Sequence, residues 1–132
     1  MTDYRIPAEL DYTADDEWVR DKGEVISIGV TDFAQEQLGD IVFVELPTAG
    51  TTVTRNEPYG VIESVKAVSD LISPVSGAVV RVNDQLEDAP EIINADCYGA
   101  GWMLEIQPSN PGELELLLDA ATYTQRVKER SD

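Results

Sequence analysis

Between Glu63 and Asp70 the sequence reads "ESVKAVSD", and Lys66 within it is one of three lysines in a chain of 132 residues. An amine there suits two chemistries: a nucleophile that forms a Schiff base, or an acceptor for an acyl group activated by another enzyme. The first needs a desolvated amine. A turn between two short valine-flanked strands holds an amine out into water instead, which favours the second. Most surface lysines do neither and serve only solubility. Lys66 differs in its setting, because its turn holds it rigidly outward while Glu63 and Asp70 lie near enough to be read by a partner.

Few other residues offer chemistry. The chain has no histidine and one cysteine, Cys97. That excludes Ser-His-Asp triads, Cys-His pairs, the HExxH zinc site, CxxC redox pairs and any internal disulfide. Cys97 reads as a packed thiol. With 26 acidic residues against 9 basic ones, incidental carboxylate pairs are common, so their spacing is weak evidence of acid–base catalysis. A net charge of -17 disfavours nucleic acid and anionic membrane as partners. It suits either solubility in high salt or docking against basic partners, and charge alone does not separate the two. No apolar run approaches the roughly 20 residues that span a bilayer, and "MTDYRIPAEL" lacks the regions of a signal peptide. A cytoplasmic protein is expected.

The elements that must position Lys66 are mainly strands, and the length fits one compact domain over 1–132. "EWVRDKGEVISIGV" predicts a hairpin turning at Asp21, Lys22 and Gly23. "TDFAQEQLG" predicts a short helix with Asp32 as N-cap, Gln35 as its capping-box partner and Gly39 as stop. "DIVFVELP" is apolar on both faces, which predicts a buried strand ended by Pro47. "TTVTR", "PYGVIESV", "AVSDLISP", "GAVVRVND" and "GWMLEIQP" add short strands bounded by turn residues. Asn110, Pro111 and Glu113 open a predicted helical segment over about 111–130, with Leu114, Leu117 and Leu118 as the stripe that packs on the sheet.

Four segments in order then resemble one family, the H proteins of the glycine cleavage system: "EWV" at Glu17–Val19, "IGVTDFAQEQLGDIVFVELP" at 28–47, "ESVKAVSDLISPVSG" at 63–77 and "YGAGWM" at 98–103. Together they are specific, whereas "VKAV" alone is weak and lacks the methionines that usually flank a biotinyl lysine. The resemblance implies a mainly β barrel-sandwich hybrid of the lipoyl-carrier type, with a short helix after the first hairpin and a C-terminal helix. It implies lipoate in amide linkage on Lys66. Glu63 and Gly50 match positions that help the attaching enzyme, and Asp70 is grouped with them. Glu17 matches a cleft acid near the docked arm; its alternative reading is an ordinary surface acid. The sequence departs from the family pattern at Asp16, where the family often has histidine, at Gln37, where some members have histidine, and at Cys97, where proline is common. The first two changes remove possible cleft cations.

By the same resemblance the chain is a carrier and not an enzyme. Its partners would be the pyridoxal-phosphate glycine decarboxylase (P protein), the tetrahydrofolate-dependent aminomethyltransferase (T protein), the dihydrolipoyl dehydrogenase (L protein) and a lipoate-attaching enzyme. Two alternatives share much of the evidence: an H-like lipoyl donor in lipoate trafficking, and an unmodified acidic protein-binding module. An enzyme working through carboxylates is a more distant third.

Overall fold

The computed structural model describes residues 4–131, Ser131 by its backbone only, so residues 1–3 of the opening stretch and Asp132 stand outside it. After β1 (Asp11–Tyr12), the first predicted hairpin forms from β2 (Glu17–Asp21) and β3 (Ile26–Val30). Its turn is held by the Gly23 N–H on the Asp21 carboxylate at 2.9 Å, with Gly23 at φ +100°. All five residues of β3 are buried, as expected of a strand that has β2 on one side and a later strand on the other.

Helix α1 (Asp32–Leu38) follows, and its N-cap is Thr31 rather than Asp32: the Thr31 hydroxyl accepts from the Ala34 N–H at 3.2 Å. Asp32 is the first helical residue, and the Gln35 side chain donates to it at 2.8 Å instead of closing a capping box. Gly39 ends the helix at φ +82°, as predicted.

Strand β4 (Ile41–Glu45) departs from its expected burial. Val42 and Phe43 are 53% and 47% exposed, while Ile41 and Val44 face the core. The reason is its place at the edge of a three-stranded sheet with one open face, together with a bulge between Ile41 and Phe43. The chain continues through β5 (Thr52–Val53), β6 (Pro58–Ser64), β7 (Val68–Ile72) and β8 (Gly77–Val82). Two single-turn helices not foreseen in the sequence, α2 (Gln85–Asp88) and α3 (Ile92–Ala95), bury Leu86 and Ile93 before β9 (Leu104–Pro108).

The expected mainly β fold is thus borne out as two antiparallel sheets that do not close into a barrel. One has the order β1-β2-β3-β9-β8-β5, the other β4-β6-β7. Trp18, Ile26, Ile28, Ile62, Met103, Leu104 and Ile106 fill the core. Cys97 is packed there too, its carbonyl accepting from the Trp18 indole at 2.8 Å. Burial pushes its thiol up to about 12, which makes it inert as a nucleophile.

The C-terminal segment is helical in two pieces rather than one. Asn110 caps a 3₁₀ turn (Pro111–Leu116), but Leu117 is extended and Leu118 exchanges backbone hydrogen bonds with Tyr12 at 2.8 Å each way. Helix α4 (Ala120–Ser131) then begins, with the Asp119 carboxylate accepting from the Thr122 N–H. Leu117 and Leu118 therefore pack from an extended link and not from a helical stripe. The face that α4 buries is Tyr123 and Val127, spaced one turn apart. Among the described residues no helix is long and apolar enough to cross a membrane.

Candidate functional site

Lys66 occupies the tip of the β6–β7 hairpin. The Ser64 N–H donates to the Ala67 carbonyl at 2.8 Å, the Ala67 N–H to the Ser64 hydroxyl at 3.1 Å, and the Val65 N–H to the Asp40 carbonyl at 3.1 Å. These bonds tie the tip to itself and to the segment after α1, and leave the Lys66 side chain exposed. Its stem passes α1's end: a Cβ on Gly39 would lie 3.7 Å from Lys66 Cε.

Beside the hairpin runs a cleft of ≈ 190 Å³. One wall is the 15–17 segment, the second is α1 with Ala34, Gln37 and Leu38, and the third is β7 with Ser69, Asp70 and Leu71; Val30 and Ile62 complete it. The structure thus gathers Glu17, Asp70 and the two departing positions, Asp16 and Gln37, around the strand that leads from Lys66. A larger hollow of ≈ 460 Å³, between the loop after β4 and α2, contains none of the predicted site residues, so its size alone does not mark it as the functional cleft.

Glu17 is not a surface acid. It is 2% exposed, at the start of β2, and it bridges the two sheets. The Tyr59 hydroxyl of β6 donates to Oε1 at 3.2 Å and the Ile72 N–H of β7 to Oε2 at 3.0 Å. Burial pushes its carboxyl well above the usual carboxylate range against the pull of those two bonds, and Asp15 and Asp16 push the same way as burial. Each oxygen has one partner and retains capacity for another.

Asp16 adopts φ +67°, a left-handed conformation that Asp tolerates better than most residues. Its carboxylate accepts from the two terminal guanidinium nitrogens of Arg130 from α4, Nη2 at 2.5 Å and Nη1 at 3.0 Å, and from the Tyr123 hydroxyl at 3.0 Å. That hydroxyl also shares a 2.6 Å hydrogen bond with Thr31, the N-cap of α1. One C-terminal helix therefore ties two walls of the cleft together. Sequence reasoning missed this network and Tyr59, since their partners lie 107, 114 and 42 residues apart along the chain.

The remaining predicted residues are placed as follows. Glu63, half-buried in β6, has Phe43 and Val68 directly opposite on its two neighbours. Asp70 stands opposite Val61. Gly50 is not brought to Lys66: β4 starts beside the tip, where Ile41 faces Ser64, and runs away from it until Glu45 faces Val61. Gly50 lies beyond that far end at φ +95°, its N–H on the Val79 carbonyl at 2.7 Å.

A family model described as "Glycine cleavage H-protein" matches residues 10–130. The chain is 56% identical over 125 residues to the glycine cleavage system H protein of Anaeromyxobacter sp. (strain K), covering 95% of this chain and 98% of that one. It is 55% identical over 124 residues to the protein of the same name from Symbiobacterium thermophilum, covering 94% and 97%. Among solved structures, a crystal structure of a glycine cleavage system H protein from Mycobacterium marinum superposes with a TM-score of 0.84 at 44% identity, covering 92% of this chain and 98% of that one.

Proposed function

The chain belongs to the glycine cleavage H-protein family, a carrier component and not a catalyst, and from that we propose that Lys66 bears lipoate and that the 1–132 chain acts as one cytoplasmic lipoyl-carrier domain. The observation that carries this reading is the exposed Lys66 at a pinned hairpin tip beside a cleft floored by a buried carboxylate. An apolar arm ending in an amine fits that cleft, whose Val30, Leu38, Ile62 and Leu71 supply apolar wall and Glu17 a charge partner. When bound, the dithiolane supplies the sulfur that carries glycine's aminomethyl group from the P protein to the T protein, and the L protein reoxidises it.

This chain's own residues do three things. Lys66 Nζ accepts the lipoyl acyl group: the ammonium sheds one proton to expose its lone pair, the amide C–N bond forms as the acyl carbon's bond to its activating group breaks, and Nζ gives up a second proton. Glu63, with Asp70 and Gly50, is read by the attaching enzyme. Glu17 accepts from the amine of the loaded arm and, with the apolar walls, keeps water from it. Docking an ammonium there favours the carboxylate that burial otherwise disfavours.

Reconstitution with the P, T and L proteins tests the reading. Glycine-dependent CO₂ release requires the loaded wild-type chain and is absent with Lys66→Arg, which retains the charge but accepts no acyl group. Turnover with Lys66→Arg would reject it.

A further inference from the structure

Of the six large apolar side chains exposed among the described residues, four lie on β4 or at the Lys66 hairpin: Val42, Phe43, Val65 and Val68. Register sets two of them in a pattern. Phe43, Glu63 and Val68 form one row across the three-stranded sheet, and Glu45, Val61 and Asp70 form the next row on the same face. Directly opposed residues point to one side, and residues two apart along a strand return to it. The other face carries Val44 and Ile62, both buried. The sheet thus turns one side to the core and shows the other, a chequerboard of apolar and acidic side chains, to solvent. Lys66 is the only cation on β4, β6, β7 or the hairpin tip. Glu45, Glu63 and Asp70 take part in none of the ion pairs among the described residues.

We propose that this outer face is the surface on which the lipoate-attaching enzyme docks, through a complementary surface that sets Arg or Lys side chains between apolar ones. The proposal rests on the reading of Lys66 as the acyl acceptor. The choice of partner follows from distance: an enzyme that acylates Nζ must abut the tip itself, whereas one that works on the far end of a loaded arm stands off by the arm's length. Unpaired carboxylates steer a cationic surface toward the tip and fix its orientation. Phe43 and Val68, flanking Glu63, supply the apolar anchors that such an interface concentrates near its centre.

The test is steady-state lipoylation of the unmodified chain by a lipoate–protein ligase supplied with ATP and lipoate, at low and high ionic strength. Phe43→Ser, Val68→Ser and Glu45→Lys are each expected to raise the KM for the chain about tenfold with kcat within about twofold. Glu45→Asp stays near wild type, and Glu45→Lys loses part of the salt dependence of KM. Val80→Ser, at an exposed apolar position on the other sheet, leaves KM unchanged. Melting temperatures separate docking effects from unfolding, and two apolar variants guard against the failure of one. Wild-type KM in Phe43→Ser, Val68→Ser and Glu45→Lys overturns the proposal, as does a raised KM for the P protein with lipoylation unchanged. Lipoate attached to Lys66→Arg overturns instead the reading beneath it; an inert Lys66→Arg beside unaffected surface variants removes the docking face alone.

Discussion

Replacing Arg130 with glutamine removes a residue far from Lys66 in sequence yet tied to the cleft by its grip on Asp16. An exposed ion pair contributes about 0.2–1 kcal/mol. This one is two-pronged, and its Asp16 side chain is only 19% exposed against 42% for Arg130. After allowance for solvent screening, the top of that range, about 1 kcal/mol, applies. The guanidinium also lies 4.7 Å from the centre of the Phe33 ring, adding about 0.5 kcal/mol at a partly exposed site. Glutamine retains at most one of the hydrogen bonds, so the expected loss is about 1–1.5 kcal/mol. With an unfolding entropy of about 2.1 cal/mol/K per residue over 132 residues, Tm falls by about 4–5 °C. Thermal melts followed by circular dichroism at low salt measure this. In about 1 M salt, where screening acts within ~3 Å, the gap between variant and wild type narrows. A drop under about 1 °C at low salt, or a gap indifferent to salt, would refute the assignment of Arg130 as the clamp on Asp16.

Three further outcomes follow from the geometry. Because the folded-state pKa of Glu17 is raised, its neutral form favours the fold: the contribution is fully present below the unfolded carboxyl value and is lost as pH rises through the raised one. Wild type therefore gains stability relative to Glu17→Gln as pH falls from about 7 toward about 4, and a constant difference in denaturant titrations would show that Glu17 is not desolvated. Glu63→Ala slows lipoylation while leaving the melting temperature near wild type and, once loaded, the glycine-dependent turnover intact; equal rates with substoichiometric attaching enzyme would exclude Glu63 from recognition. Gly29→Ala drives a Cβ to 2.7–2.8 Å from three atoms of the buried Trp18 indole and loses about 1–3 kcal/mol by overpacking, which a urea midpoint unchanged from wild type would contradict.

The hairpin turn at Gly23, the helix stop at Gly39 and the exposed tip at Lys66 were legible because each depends on residues a few positions apart. The buried state of Glu17 was not. An acid at the head of a strand looks like solvent-facing charge until Tyr59 and the Ile72 N–H are folded against it. Asp16, legible only as a missing histidine, turned out to bind a cation that arrives from α4. The strand over 41–45 misled because its apolar pattern reads as burial, yet edge position and a bulge turn Val42 and Phe43 outward. The break at Leu117–Asp119 arose from competition: helix propensity across that stretch was outweighed by the backbone bonds that Tyr12 offers Leu118 and by the cap that Asp119 gives α4. The short helices α2 and α3 had too few residues for any periodicity to show.

The central claim, that Lys66 is the lipoyl acceptor, is tested most directly by intact mass and peptide mapping of the chain after incubation with a lipoate–protein ligase, ATP and lipoate. The account predicts the added mass of one lipoyl group, located on the peptide that contains Lys66 and absent from Lys66→Arg. No added mass on the wild-type chain, or lipoate located on Lys22 or Lys128, would contradict it.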